Sequence, residues 1–180
     1  MKLKYTSKNR GLTLIEALIW FAIFAAVVAG IFALYSSTRN ANNASTVNKE
    51  LSTIFSQTEQ LFASEDTEQL ASGGNSLALK LGIYPKSVKV SSDGSSISNV
   101  FGGTINITGE SPSSFTVTYT HVPNGEVCAN IIRAQKAVGW DSVNTVTYDK
   151  DYTITDVVAL CGSNGTGTID LDFVRANTNS

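Results

Sequence analysis

The longest apolar stretch of the sequence lies near its N-terminus, where residues 17–35 read ALIWFAIFAAVVAGIFALY and include no charged side chain. At about 1.5 Å per residue, a helix of this length spans about 29 Å, close to the roughly 30 Å hydrocarbon core of a bilayer. Leu12, Leu14 and Ile15 extend the apolar run toward the N-terminus, and Glu16 is the carboxylate that interrupts it. The pattern therefore predicts a membrane-length helix with one acidic residue near its start.

After Tyr35 the pattern stays helical but becomes one-sided. A stripe of mainly apolar residues recurs at helical spacing, and the positions between are mostly polar; it consists of Val47, Leu51, Ile54, Phe55, Thr58, Leu61 and Phe62. Because no proline precedes Pro85, the sequence contains no strong helix breaker in this region. We predict a single helix over residues 12–63, apolar all round in its first half and packed through one face on a globular head in its second.

The head, residues 64–180, contains segments that alternate between apolar and polar positions, as half-buried strands do. The predicted strands cover residues 104–108, 114–120, 143–148 and 168–174. Residues 109–113 join the first two strands as a hairpin, and Ile169, Leu171 and Phe173 share one face of the last strand. The expected fold class is α+β, with an antiparallel sheet packed against the long N-terminal helix.

Shorter helices and turns are predicted between these strands. The helices cover residues 77–81, 124–137 with Asn124 as the cap, and 156–161 with Thr155 as the cap. The second of them has an apolar face made of Val127, Ile131, Ile132 and Ala134. Polar residues rich in serine and glycine predict a loop at 64–76 and a surface turn at 91–99.

Charge is distributed unevenly along the chain, although the formal net charge is only −2. The first ten residues carry four basic side chains and no acid; these are Lys2, Lys4, Lys8 and Arg10. A basic block directly before an apolar run is typical of the cytoplasmic flank of a membrane segment. The uniformly basic surface of a nucleic-acid-binding protein is absent from the sequence, so no nucleic-acid partner is expected.

Three interpretations of the N-terminus compete. The first is a secretory signal peptide with a weak cleavage site at Val27–Ala29 before Gly30. The second is a plain membrane anchor in which Glu16 snorkels to the membrane edge. In the third interpretation a short basic leader ends at Gly11, and the segment up to Glu16 leads into the apolar helix. This interpretation gives every one of these features a role. The first two leave the combination of Gly11 and Glu16 without a role.

The segment Gly11-Leu12-Thr13-Leu14-Ile15-Glu16 resembles the prepilin peptidase site of type IV pilins. The resemblance implies a leader over residues 1–11, cleavage after Gly11 on the cytoplasmic side, and N-methylation of the new terminus at Leu12. It also implies that Glu16 is the residue that directs assembly, by pairing with the terminal ammonium of a neighbouring subunit. Leucine as the first mature residue is more similar to type IVb than to type IVa pilins.

Two cysteines, Cys128 and Cys161, are present. An even pair in a chain that carries export features favours one disulfide, and two unrelated buried thiols are the alternative. The pilin resemblance implies a disulfide that closes a C-terminal region. Phe101-Gly102-Gly103 before a strand also partly resembles a motif of bundle-forming and plasmid thin-pilus subunits.

No residue pattern predicts catalysis, a cofactor or a metal ion. His121 is the single histidine and is expected at the surface, and the glycine-rich stretch at 162–167 lacks the lysine of a phosphate loop. The acidic residues Glu65, Asp66 and Glu68 are expected in a solvated loop, with calcium binding as an alternative. The chain is therefore expected not to be an enzyme.

The sequence taken as a whole predicts the major subunit of a type IVb pilus. It would reside in the inner membrane as a precursor, be processed by prepilin peptidase, and polymerise with itself through the assembly machinery into an extracellular fibre. Adhesion, aggregation and conjugative contact are the expected roles of that fibre. A minor pilin or a type II secretion pseudopilin is the alternative function.

Overall fold

The computed structural model describes residues 13–63, 65–111, 114–162 and 166–176. It divides between Arg39 and Asn40 into two compact units, and each is described by itself. The predicted leader over residues 1–11, including Gly11, and the predicted new terminus at Leu12 lie outside the described residues.

Helix α1 covers Leu14–Leu61 and is the longest element of the chain, with 48 residues. Its course agrees closely with the single helix predicted for residues 12–63. The N-terminal unit contains this helix as far as Arg39.

In the second unit, one face of α1 enters the hydrophobic core. Most of the predicted stripe is fully buried there, including Val47, Leu51, Ile54 and Thr58. Leu61 is an exception, since 38% of its surface is exposed at the end of the helix.

The core of the second unit forms between α1 and a five-stranded antiparallel sheet. In chain order the strands are β1 (Lys89–Val90) and β2 (Ile97–Ser98), which form a separate hairpin, then β3 (Ile105–Ser111), β4 (Ser114–Pro123), β5 (Ser142–Val143), β6 (Val146–Thr147) and β7 (Thr168–Arg175). The order in the large sheet is β3-β4-β7-β5-β6, with Val117 of β4 paired to Ile107 on one side and Phe173 on the other. The α+β class and the antiparallel sheet are confirmed.

The predicted loop at residues 64–76 is wrong, because helix α2 occupies Gln69–Lys80 and is interrupted only at Gly74, which has φ 49° and ψ −142°. Tertiary contacts anchor this helix. Its Asn75 side chain accepts a hydrogen bond from Ile107 N–H at 3.2 Å and donates to the Ile105 carbonyl at 3.0 Å. This amide takes the place of a neighbouring strand and covers the free edge of β3.

The single strand predicted at 143–148 is also wrong, since β5 and β6 form a tight hairpin there. Asn144, at the turn, has a φ of 47°, a conformation that asparagine tolerates better than most residues. Its side chain fixes the hairpin beside β7 by accepting from Asp172 N–H at 2.9 Å and donating to the Asp170 carbonyl at 3.0 Å. The predicted surface turn at 91–99 is in part the β1–β2 hairpin, and it buries Ile97.

The helix caps differ from the predicted ones. Helix α3 spans Glu126–Gln135 with Gly125 as its N-cap, whereas the Asn124 side chain donates to the Thr166 carbonyl at 2.9 Å. Helix α4 spans Ile154–Cys161 and is capped by Thr153, whose hydroxyl accepts from Asp156 N–H in a reciprocal capping box. Of the residues predicted on the buried face of α3, Ala134 is exposed, and the following residue, Gln135, is buried instead.

Candidate functional site

The first candidate site is the apolar part of α1 in the N-terminal unit. Within the described residues, Leu14–Phe32 is the one helical segment long and apolar enough to cross a membrane, and none of it is buried. The exposed side chains include the adjacent pair Trp20 and Phe21, 63% and 72% exposed, so the apolar surface is not confined to one stripe. A helix that is apolar on all faces requires lipid or other helices around it.

Glu16 lies in the first turn of this helix, and it is the only acidic residue there. Its backbone N–H donates to the Thr13 hydroxyl at 3.3 Å, so Thr13 serves as an N-terminal cap three residues ahead of Glu16. Threonine followed three residues later by glutamate is the sequence pattern of a capping box, and the bond from the Glu16 N–H to the Thr13 hydroxyl is one of the two hydrogen bonds of that motif. The exposed carboxylate is thus positioned at the beginning of the membrane-length segment.

The second candidate site is the C-terminal region that the two cysteines close. Cys128 of α3 and Cys161, the last residue of α4, form a disulfide with 5.6 Å between their Cα atoms. Both cysteines are buried, and the Gly125 N–H donates to the Cys161 carbonyl at 2.9 Å. The start of α3 is therefore held to the end of α4 by a covalent bond and a backbone hydrogen bond.

A buried acidic residue that the sequence pattern did not single out lies on the core face of α1. Glu50 is only 3% exposed, and its carboxylate accepts a hydrogen bond from the Tyr119 hydroxyl at 3.0 Å. Burial raises the pKa of Glu50 above its usual range, although the hydrogen bonds from Tyr119 and Ser87 act in the opposite direction. Burial likewise raises the pKa of Tyr119, with the Glu50 carboxylate adding to the effect, so Tyr119 remains a neutral donor.

Two further polar contacts fix α1 to the C-terminal half of the second unit. The fully buried Gln135 donates to the Asn48 side chain at 3.1 Å and accepts from the Trp140 indole N–H at 3.0 Å. Arg175 at the end of β7 pairs with Glu59 of α1 at 2.8 Å and with Asp141 at 3.0 Å. These contacts place the strand that follows the disulfide region directly against the helix.

The Phe101-Gly102-Gly103 motif has a structural explanation in the preceding asparagine. The Asn99 carboxamide oxygen accepts from the N–H groups of Phe101 and Gly103, each at 2.9 Å, and its amide donates to the Thr120 carbonyl at 2.6 Å. A Cβ atom at Gly103 would lie 2.4 Å from that same carbonyl oxygen, so no larger residue fits without a shift. The motif thus shapes the entry into β3.

His121 and the acidic loop residues make hydrogen bonds that involve backbone N–H groups, and residues 163–165 of the glycine-rich stretch lie outside the described residues. His121 is exposed in a bulge of β4 at φ 61°, and its backbone N–H donates to Asp170. In the loop after α1, the Asp66 carboxylate accepts from the backbone N–H of Glu68 at 2.8 Å. Among the described residues, no group of three or more histidine, cysteine, aspartate or glutamate side chains is placed to hold a metal ion.

Comparison with known proteins gives one result for the second unit. No curated protein matches the sequence. The model of the family described as PilS N terminal matches residues 41–173, well over half of the chain. The matched residues include the disulfide region and exclude the segment from Gly11 to Glu16, so the match does not depend on the residues that resemble a prepilin peptidase site. The chain belongs to the PilS N-terminal family, a family related to type IV pilins.

Proposed function

We propose that the protein is the major structural subunit of a type IVb pilus. In this proposal prepilin peptidase removes residues 1–11 from a precursor held in the inner membrane, and the new terminus at Leu12 is methylated. The mature chain then polymerises with itself through the inner-membrane assembly machinery into an extracellular fibre. The fibre serves in adhesion, aggregation or conjugative contact.

The observation that carries the proposal is the joining of a pilin-family unit to a helix with apolar side chains on every face. A helix of this kind is stable in a membrane, and it is equally stable in a bundle of identical helices at the centre of a fibre. Transfer of the helix from the membrane to the fibre therefore exposes little apolar surface to water. Glu16 adds a reason for one axial register, because an unpaired carboxylate in an apolar fibre core is costly until a neighbour's ammonium group pairs with it.

The test is the composition of purified surface fibres. If the protein is the major subunit, mass spectrometry of sheared fibres will identify it as the bulk component, and deletion of its coding sequence will abolish the fibres. A minor pilin would be present at a small fraction of the fibre mass, and a type II secretion pseudopilin would be absent from surface fibres. Normal fibre yield without the protein would refute the proposal.

A further inference from the structure

A groove of about 500 Å³ opens between α1 and the β1–β2 hairpin in the second unit. Its walls include the apolar side chains of Val88 and Val100, and polar groups come from Asn43, Ser87 and Lys89. Glu50 borders the groove although it is only 3% exposed, so it forms part of the floor rather than the rim, and its carboxylate is in hydrogen-bond contact with the lining residue Ser87.

The floor carboxylate has hydrogen-bond donors but no cation. Tyr119 donates to one of its oxygens at 3.0 Å, and the Ser87 hydroxyl is a second partner. Within the described residues, the ion pairs are those of Arg175 with Glu59 and Asp141, and none includes Glu50. A carboxylate has about four acceptor positions, so two neutral donors leave it able to accept further bonds. A buried acidic group of this kind is stabilised most by a positively charged donor.

The shape and chemistry of the groove favour one class of ligand. A primary ammonium group carries three N–H donors, and the groove supplies the Glu50 carboxylate together with the oxygens of Asn43 and Ser87. The two valines offer an apolar wall for the methylene groups that precede such an ammonium in a lysine side chain. Lys89 borders the same groove and is exposed, so its own charge opposes the entry of a second cation.

We propose that this groove binds an alkylammonium group from outside the chain, such as the side chain of a lysine, with Glu50 as its anionic partner. The ligand is a lysine of a second copy in an assembly or a free amine. Binding does not require the chain to form a pilus, so the inference stands separately from the proposed function.

The first experiment is a titration of the full-length protein in detergent with n-butylammonium chloride, followed by NMR shifts of the backbone amides at residues 87–89 and 99–102. We expect saturable binding in the millimolar range, at least tenfold weaker binding in Glu50→Gln, and severalfold tighter binding in Lys89→Met. Glu110→Gln, which removes an exposed carboxylate on β3, is the matched control and should bind as the unmodified protein does. Equal binding of n-butanol, or unchanged affinity in both groove variants, would overturn the proposal. The Lys89→Met arm keeps the test decisive if Glu50→Gln does not fold.

A second experiment separates the two sources of the ammonium group. Assembled protein is treated with a carbodiimide, which joins a carboxylate to an amine in contact with it, and the dimer band on a denaturing gel is digested for mass spectrometry. A Glu50–lysine peptide in the dimer band identifies a second copy as the source, and binding of the free amine without that peptide identifies a small molecule. A cross-link from Glu50 to Lys89 confined to the monomer band would show that the chain fills its own groove, which would refute an external ligand.

Discussion

At the scale of single residues, Glu50 is the clearest case of information that was present in the sequence but misread. It lies three residues after Val47 and four before Ile54, which places it on the apolar stripe of α1 rather than beside it. Because glutamate is polar, a solvent-facing position would be expected for it. Its burial depends on Tyr119, a donor 69 residues away in sequence, and no local pattern reveals a partner at that distance.

The raised pKa of Glu50 predicts how stability depends on pH. As pH rises past the ordinary value of 4.5, the unfolded chain loses a proton that the folded chain still holds, so the free energy of unfolding falls until pH reaches the folded pKa. Glu50→Gln keeps a partner for the Tyr119 hydroxyl but removes this titration. The melting temperature of the variant minus that of the unmodified protein should therefore be more positive at pH 8 than at pH 4.

Thermal denaturation in detergent at a series of pH values measures this difference. Glu110→Gln, at an exposed site on β3, should show no comparable trend. If the melting-temperature difference between Glu50→Gln and the unmodified protein stays constant with pH, or becomes more negative as pH rises, burial does not raise the pKa of Glu50.

At the scale of elements, the sequence predicts long or strictly periodic segments and misses those that tertiary contacts define. Helix α1 and strands β3, β4 and β7 have clear periods and lie where the pattern places them. The two-residue strands β5 and β6 are too short to show a period, and Gly73-Gly74, the fifth and sixth residues of α2, make its first half look like a loop. The caps of α3 and α4 each depend on one or two residues, which periodicity cannot resolve.

The disulfide between α3 and α4 carries the prediction that belongs to this scale. It joins residues 33 positions apart, and its loss should lower the free energy of unfolding by about 2–5 kcal/mol. The double variant Cys128→Ala and Cys161→Ala tests this without placing a hydroxyl group in the buried site. Chemical denaturation should show the loss, and reduction of the unmodified protein should reproduce it.

Two outcomes would argue against a structural role for this bond. One is equal protease resistance of the oxidised and reduced protein. The other is a normal denaturation midpoint for the double variant. Because both cysteines are buried, that result would mean that packing alone holds α3 to α4.

At the scale of the whole molecule, two separate signals lead to the same protein class. The motif at Gly11–Glu16 lies outside the family match at residues 41–173, and the uncharged apolar run of residues 17–35 follows it directly. The pairing of Cys128 with Cys161 could be predicted from the sequence, because a cysteine count does not depend on the tertiary fold, and the structure joins the two. The role of Glu16 in assembly stays a prediction. The contacts of α1 with Tyr119, Gln135 and Arg175 could not be read from the sequence, because they join residues 69, 87 and 116 positions apart.

Processing of the precursor gives a prediction for the N-terminus as a whole. The mature protein should have the intact mass of a chain that begins at methylated Leu12, and Gly11→Phe should leave an unprocessed precursor in the membrane because the bulky side chain blocks the peptidase cleft. Gly30→Ala is the control, since a Cβ atom at Gly30 meets nothing within 4 Å. A mature chain that begins at Gly30 would instead support the signal-peptide interpretation.

The last prediction concerns assembly and depends on the charge of Glu16. Glutamine has nearly the same size as glutamate, and it also serves at the third position of a capping box, so Glu16→Gln leaves the start of α1 intact. In the proposed mechanism the variant lacks the partner of a neighbour's terminal ammonium in an apolar fibre core, and loss of one member of a buried ion pair costs about 3–5 kcal/mol. Because the loss repeats at every subunit, the variant should be processed and should accumulate in the membrane, yet form almost no fibres.

Thr13→Ala supplies the matched control for this experiment. It removes the hydroxyl that accepts from the Glu16 N–H at 3.3 Å, which weakens the helix cap by about 0.5–2 kcal/mol but keeps the carboxylate. If charge pairing directs assembly, fibre yield in the sheared fraction should fall far more in Glu16→Gln than in Thr13→Ala, with equal processing by mass. If Glu16 matters only as a helix-starting residue, the order reverses. A snorkelling anchor residue would leave fibre yield unchanged in Glu16→Gln, and that result would remove the charge-pairing mechanism.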